Sequence, residues 1–304
     1  MTDTSASWIW LNGRLADAQV PHLSAYDRGF QLGDAVFEAL RARRGVAIEV
    51  DGHLNRLRAS LQALSIALPY SDLDLTAGIA QLLAADGLDS IDPAGDAAVR
   101  LTVSRGTDYA RGVSPHPSGE PSVVIQAWPH RPPTAAAVAR GHRLITSSIR
   151  RVPDSPMAAI KTTSRAELVY AHLEAERAGA DDAVFVTTDG RITEATTANL
   201  LLISGSTCAT PRLGTGLLPG TTRAWLVGHG DEVGLRMVER DLRPDDMFAA
   251  DEAAICSSVG GVFPIVALDG RPIGDGRPGP RTLAMREARE AWIDAVSLRG
   301  RSGA

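Results

Sequence analysis

Cysteine is scarce in this chain: two residues in 304, Cys208 and Cys256, far apart and in no CxxC spacing. So few thiols do not make a disulfide framework, and without an accompanying histidine cluster they do not make a zinc site, so no metal is expected. No apolar run approaches the length that spans a bilayer, and the opening MTDTSASWIW has no basic stretch leading into a long apolar one. The expected location is the cytoplasm, with no membrane partner. Neither sign of charge is massed. The 31 basic residues are scattered among 36 acidic ones for a net charge of −5, which argues against nucleic acid as a partner. What remains is an ordinary globular composition, 44% hydrophobic and 22% charged. Its length suits two domains of about 100 to 200 residues each.

The stretch SWIWLNGRLADAQ reads as two short strands about an Asn-Gly turn. Residues 32–41 alternate as a strand, and GHLNRLRASLQALSIAL places Leu54, Leu57, Leu61 and Leu64 at helical spacing. AAVRLTVSRG has period two, with Val99, Leu101 and Val103 on one face and Arg100, Thr102 and Ser104 on the other. PSVVIQAW is a further strand. PHRPPTAAAVARG, with three prolines in five residues, is the best linker candidate. It separates an expected N-terminal domain, 1–127, from a C-terminal domain, 141–304, across a linker at 128–140.

Beyond it, HRLITSSIRR is a strand, and residues 164–178 form a helix with Ser164 as N-cap and Glu167 completing a capping box. DDAVFVTTDGRITEATTANLLLIS is a hairpin about an Asp-Gly turn, and LLPGTTRAWLVGHG is a loop entering a helix. EAAICSSVGGVFPIVALDG is two strands about a loop of small residues, RPIGDGRPGPRT is a Gly/Pro loop, and residues 281–297 close the chain as a helix. Strands followed by helices, without regular βαβ alternation, make both halves α+β.

Five stretches could carry chemistry. In AAIKTTSRA, residues 158–166, Lys161 follows a small apolar run. A nucleophilic lysine needs a free amine at neutral pH, through desolvation, which PMAAI can supply, or a neighbouring cation such as Arg165. A strand-end lysine with its ammonium in water fits the same residues. In TEATTAN, residues 193–199, Glu194 can hold a ring nitrogen protonated and Thr196 and Thr197 can bind an anion; an ordinary turn also fits. LPGTTR, residues 218–223, offers helix-start N–H groups with the hydroxyls of Thr221 and Thr222, either as a phosphate cradle or as a simple cap. CSSVGG, residues 256–261, is another hydroxyl-rich loop, and Arg56 in the leucine helix either snorkels or points at an anion. A lysine, a carboxylate for a pyridinium nitrogen and several phosphate donors together are the parts that hold pyridoxal 5′-phosphate.

The order and wording of these motifs carry a resemblance. DRGFQLGDAVFEALR, HLNRLRASL, LTVSRG, IKTTSRAE, AGADDAVFVTTDGRITEATTANLLLI, TPRLGTGLLPGTTR, CSSVGGVFPIVALDG and IGDGRPGP together span nearly the whole chain. In that order they resemble the fold-type IV pyridoxal-phosphate enzymes: branched-chain aminotransferases, D-amino acid aminotransferases and 4-amino-4-deoxychorismate lyases. The resemblance implies an α+β fold with a smaller N-terminal α/β sandwich and a larger C-terminal pseudo-barrel. It implies that Lys161 is the Schiff-base lysine, shuttling the α-proton, and Glu194 the partner of the pyridine nitrogen. It implies that Arg56, Thr222 and Ser258 bind the phosphate with the backbone N–H groups of Thr221, Thr197 and Ser257. A homodimer is implied as well.

Within that family the motifs divide. KTTSRAE, with Arg165 four after the lysine, is similar to the lyases, as is SRGTDYARGV with Arg111. Glu38 and Ala39 stand where bacterial lyases show a Thr-Thr pair, so VFEALR looks like the aminotransferases. IGDGRPGPRT resembles the branched-chain group. RGT followed by Arg111 is similar to the carboxylate loop of the D-amino acid enzymes, with Val113 in place of their histidine. The balance favours an aminotransferase taking D-amino acids as donors and a 2-oxo acid such as 2-oxoglutarate as acceptor. The alternatives are the lyase, then an L-branched-chain aminotransferase or an (R)-amine transaminase. Arg100, Arg111, Arg28 and Arg165 are the candidate partners of the substrate carboxylate, and the loop at 105–118 has the Gly and Pro content to close over it.

Overall fold

The computed structural model describes residues 7–90, 96–116 and 119–302. Two units divide the chain. The first comprises Met1–Arg131, Ile160–Ser164 and Ile293–Ala304, the second Pro132–Ala159 and Arg165–Trp292. The expected domain at 141–304 is therefore interrupted: residues 160–164, Lys161 among them, belong to the first unit. The stretch expected as a plain linker also carries a short helix, capped by Thr134.

The first unit contains β1 (Trp8–Leu11), β2 (Arg14–Asp17), α1 (Arg28–Leu32), β3 (Ala35–Arg43), β4 (Val46–Ala47), α2 (Val50–Ala63), α3 (Asp72–Ala85), β5 (Asp96–Ser104) and β6 (Ser122–Pro129). The strands form one antiparallel sheet in the order β2-β1-β6-β5-β3-β4. Positive φ at both Asn12 and Gly13 makes the first hairpin tight, as its Asn-Gly pair requires. Val36, Leu40 and Ala42 of β3, Val99, Leu101 and Val103 of β5 and Val123 and Ile125 of β6 point to one face. Leu54, Leu57 and Leu61 of α2 and Leu75, Ile79 and Leu82 of α3 join that core. Burying each such leucine is worth about 1.5–3 kcal/mol. Helix α3 is held at its start by a reciprocal box between Ser71 and Asp74.

The segment 160–164 extends this sheet. Strand β4 covers only the Ala42–Arg43 end of β3, and at the other end Thr162 bridges Val36. The Phe37 N–H donates to the Lys161 carbonyl at 2.9 Å and the Thr163 N–H to the Ala35 carbonyl at 2.9 Å. This corrects the expected capping box. Ser164, at the end of an extended segment, donates to the Gly33 carbonyl at 3.4 Å instead of capping a helix. The helix that follows starts two residues later, with Arg165 at its cap position and no side-chain cap.

The second unit contains α4 (Ala135–Arg140), β7 (His142–Arg151), α5 (Ala166–Arg177), β8 (Asp182–Thr187), β9 (Ile192–Ala195), β10 (Asn199–Ser204), β11 (Thr207–Pro211), α6 (Thr221–His229), β12 (Arg236–Arg240), α7 (Pro244–Ala249), β13 (Glu252–Ser257), β14 (Gly261–Leu268), β15 (Arg271–Pro272) and the start of α8 (Pro280–Ser302), whose residues from Ile293 onward are counted with the first unit. Its strands run β10-β13-β14-β7-β8-β9, and β9 pairs back onto β10 through Glu194 and Asn199, closing the ring. Strand β11 extends from β10 and carries β12 in parallel; β15 pairs with β14. This is the pseudo-barrel of the expected α+β fold. Every residue of β8 is buried, consistent with the apolar run at 183–186 within it. No helix among the described residues is long and apolar enough to cross a membrane.

Candidate functional site

In the first unit the two hydrogen bonds to β3 fix the backbone at Lys161, and its Nζ lies over the Phe37 ring, 4.9 Å from the centroid. The lysine is partly buried. Its own N–H donates to Ser60 Oγ on α2 at 3.4 Å. Arg100, on the neighbouring strand β5, places its Cζ 3.8 Å from the centroid of the same ring. Its Nε donates to Thr102 Oγ1 at 3.1 Å. Burial pulls the Arg100 guanidinium below its ordinary value, but an arginine remains a cation in proteins. The Lys161 amine and the Arg100 guanidinium thus share one aromatic ring, whose quadrupole favours a cation.

On the opposite face of β3, Glu38 is fully buried and takes a bidentate pair from Arg56 of α2, Nε to Oε1 at 2.8 Å and Nη2 to Oε2 at 2.6 Å. His53, also fully buried, lies 2.7 Å from Oε2 through Nδ1. Burial acts to raise the Glu38 carboxyl, and the hydrogen bonds from Arg56 and His53 outweigh it, holding the group below the usual glutamate value.

In the second unit Glu194 sits at the seam of the ring. Its Oε2 accepts from Asn199 Nδ2 at 3.3 Å and from the Leu218 N–H at 3.2 Å. Asn199 also donates to the Leu218 carbonyl at 3.0 Å, so it ties β10 to the loop entering α6. Gly220 permits that approach: a Cβ there would fall 2.0 Å from Asn199 Oδ1. As the residue at the helix cap it supplies no side-chain bond. Thr221 Oγ1 and Ser258 Oγ are 2.8 Å apart, joining the start of α6 to the turn after β13, and Ser257 Oγ accepts from the Gly260 N–H in that turn. Thr222 Oγ1 is buried and has no hydrogen-bond partner among the described residues. Thr197 is exposed between β9 and β10. Thr196, read as a possible anion ligand, instead donates to Asp182 Oδ1 at 2.6 Å.

The four arginines separate. Arg100 is the one of them that shares a ring with the lysine. Arg28, a candidate carboxylate partner, has its donors engaged within the protein. It is buried, its Nε donates to Asp34 at 2.8 Å, and its Nη atoms donate to the Gly112 and Val113 carbonyls at 3.3 and 2.8 Å. Those bonds hold the loop on which Arg111 is exposed; residues 117–118 of the proposed closing loop lie outside the described residues. Arg165 reaches the Thr196 carbonyl at 3.5 Å. Phe37, Asn199 and Ser60 went unread in the sequence. The first was accessible from the alternation of β3, the second only from tertiary structure.

The family model for amino-transferase class IV matches residues 35–268. The chain belongs to this family. A putative branched-chain-amino-acid aminotransferase of Methanocaldococcus jannaschii is 31% identical, covering 92% of this chain and 94% of the relative. A D-alanine aminotransferase of Bacillus licheniformis is 28% identical over 92% and 95%. Among solved structures, a T.th. branched-chain amino acid aminotransferase with pyridoxamine 5′-phosphate matches with a TM-score of 0.88 at 26% identity, covering 95% of this chain and 94% of the other. Class IV aminotransferases use pyridoxal 5′-phosphate, and this chain has the means to hold it. A buried hydroxyl without a partner, Thr222 Oγ1, beside an α6 start free of any side-chain cap, suits a phosphate. A carboxylate fixed by two donors, Glu194, suits a ring nitrogen.

Proposed function

We propose that this class IV aminotransferase moves an amino group between an α-amino acid with an aliphatic side chain and a 2-oxo acid such as 2-oxoglutarate. Lys161 is the Schiff-base lysine, Glu194 the partner of the ring nitrogen, and Arg56, Thr197, Thr221, Thr222, Ser257 and Ser258 the phosphate ligands. When bound, pyridoxal phosphate supplies an electron sink for the pair left at the substrate α-carbon. Lys161 Nζ takes the proton from that carbon and returns it on the other side of the reaction, as general base and then acid. The Glu194 carboxylate, an acceptor only, holds a proton at the ring nitrogen and so keeps the sink strong.

The observation that carries the reading is the placement of Lys161 Nζ and Arg100 Cζ over one ring, at 4.9 and 3.8 Å from its centroid. A substrate whose carboxylate pairs with Arg100 presents its α-carbon close to that carboxylate, where a lysine amine can serve it. Arg100 therefore stands as the carboxylate partner. The case for D-amino acids rests on Arg111, which is exposed on a loop tied down by Arg28. An L-branched-chain donor is accordingly favoured, in keeping with the relatives bearing that name. A D-amino acid donor is the second reading, supported by the likeness to the D-alanine enzyme. Assembly as a homodimer is part of the proposal; exposed Phe30, Tyr109 and Val113 in the first unit support it.

Holoenzyme incubated with 2-oxoglutarate and either L-leucine or D-alanine tests this directly. Glutamate from L-leucine is expected. Glutamate from D-alanine alone moves the assignment to the second reading, and rapid pyruvate release from aminodeoxychorismate without any acceptor overturns the aminotransferase reading.

A further inference from the structure

Glu38 is out of place by pattern. It shares a face of β3 with Val36, Leu40 and Ala42, all fully buried apolar residues. An isolated carboxylate there is costly unless every oxygen is satisfied. Both are. Oε1 accepts from Arg56 Nε, and Oε2 accepts from Arg56 Nη2 and faces His53 Nδ1 at 2.7 Å. A carboxylate can only accept, so the histidine carries its proton on Nδ1. Glu38 lies on a central stretch of β3, paired to Leu101 of β5. Arg56 projects from α2 with its side chain 9% exposed. The fork-to-fork pairing engages Nε and Nη2 and fixes the plane of the guanidinium.

From this geometry we infer that Glu38, braced by His53, is a positioning residue that aims the Arg56 guanidinium at the cofactor phosphate. The inference rests on the proposed role of Arg56 as a phosphate ligand. Glu38 itself touches no phosphate; two anions in contact would repel. Its contribution is to hold a long, flexible side chain in one orientation before the ligand arrives, so that little rotamer freedom is lost on binding. Replacing it leaves a charged arginine that must be ordered by the phosphate alone.

The test compares pyridoxal phosphate with pyridoxal, which lacks the phosphate, by titrating apoprotein and following absorbance. The dissociation constant for pyridoxal divided by that for pyridoxal phosphate isolates the phosphate contribution. Glu38→Gln is expected to lower that ratio by about tenfold, leaving pyridoxal binding nearly unchanged. In an Arg56→Ala background the same substitution is expected to change the ratio by less than about twofold, because its target is gone. Equal weakening of both ligands marks Glu38 as merely structural and overturns the inference, as does an unchanged ratio. Should Glu38→Gln fail to fold, His53→Asn, which keeps an N–H donor near Nδ1, and His53→Ala take its place. The alanine is expected to lower the ratio and the asparagine to restore it. Failure of the underlying reading is distinct: Arg56→Ala alone would then leave the ratio at its wild-type value.

Discussion

Thr222→Val should make the apoprotein more stable and the cofactor complex less so. Thr222 is 1% exposed, and its Oγ1 has no hydrogen-bond partner among the described residues. An unpaired buried hydroxyl costs about 1–3 kcal/mol in proteins. Valine keeps the branched shape at the start of α6 and removes that cost, so the apoprotein gains about 1–2 kcal/mol, or about 2–5 °C in Tm. With pyridoxal phosphate bound the sign reverses. A hydroxyl donating to a phosphate dianion is worth about 1.5–3 kcal/mol, which weakens cofactor binding by about 10- to 150-fold when it is lost. Because a ligand stabilises by RT ln(1 + [L]/Kd), the stabilisation gained on adding cofactor shrinks by the same free energy, and the Tm increment shrinks with it. Thermal unfolding with and without saturating cofactor, together with an absorbance titration, reads both arms. A lower apo Tm, or an unchanged affinity, refutes the reasoning that Thr222 Oγ1 is a donor held in reserve for the phosphate.

Lys161→Ala should abolish transamination and remove the visible absorption band of the holoprotein; a retained band would place the cofactor attachment elsewhere. Phe37→Leu keeps apolar bulk but removes the ring shared by Lys161 and Arg100. It should lower kcat/KM by about tenfold, at about 1–2 kcal/mol for desolvated cation–π contacts, whereas Met157→Leu in the run before the lysine should change it less than about twofold. Arg28→Met strips donors from Asp34 and from the Gly112 and Val113 carbonyls. It should cost about 2–4 kcal/mol and speed amide exchange over residues 109–116, and slow exchange there would contradict the bracing role. At Asp34, Glu38 and Asp96 burial acts to raise the carboxyl, and hydrogen bonds from their arginine partners (with His53 at Glu38) hold it below its ordinary 3.8 or 4.5. Their stabilisation is present above those unfolded values and lost as pH falls through the lower folded ones, so the urea midpoint should drop below about pH 4. A drop centred near pH 6 would point to histidine instead.

Much of the fold could be read from local pattern, and the losses have a common cause. Strand β5 follows its alternation closely: Val99, Leu101 and Val103 are all but fully buried while Arg100 and Thr102 remain partly exposed. The Asn-Gly hairpin and the leucine spacing of α2 are equally local. Helix α3 was missed although Ser71 and Asp74 form a capping box, because aspartate stands where the usual glutamate signal is sought. The segment 160–164 had its last residue, Ser164, misread as a helix cap for a different reason. Its hydrogen bonds go to Ala35 and Phe37, far back in the chain, and no spacing within the segment records that. A serine followed at three residues by glutamate then looks like a helix start, though the chain is still extended there.

The same logic explains why the cofactor could be read and the substrate could not. Pyridoxal phosphate is recognised by residue types that stand out in sequence, a lysine, a glutamate and hydroxyls at a helix start, each placed by its own strand end or turn. A substrate carboxylate needs one arginine among many, and an arginine's role depends on what it faces. Arg28 and Arg100 are both partly or wholly buried, yet one is consumed by Asp34 and two loop carbonyls while the other lies on an aromatic ring. The difference is made by register: pairing Phe37 with Thr102 and Ala39 with Arg100 sets ring and guanidinium diagonally on one face. A slip of one residue would turn Arg100 into the core and Leu101 toward the lysine. The ring beneath Lys161 Nζ and the guanidinium beside it come from β3 and β5, so the determinants of substrate choice are to be sought on that sheet face as well as among the residues flanking the lysine.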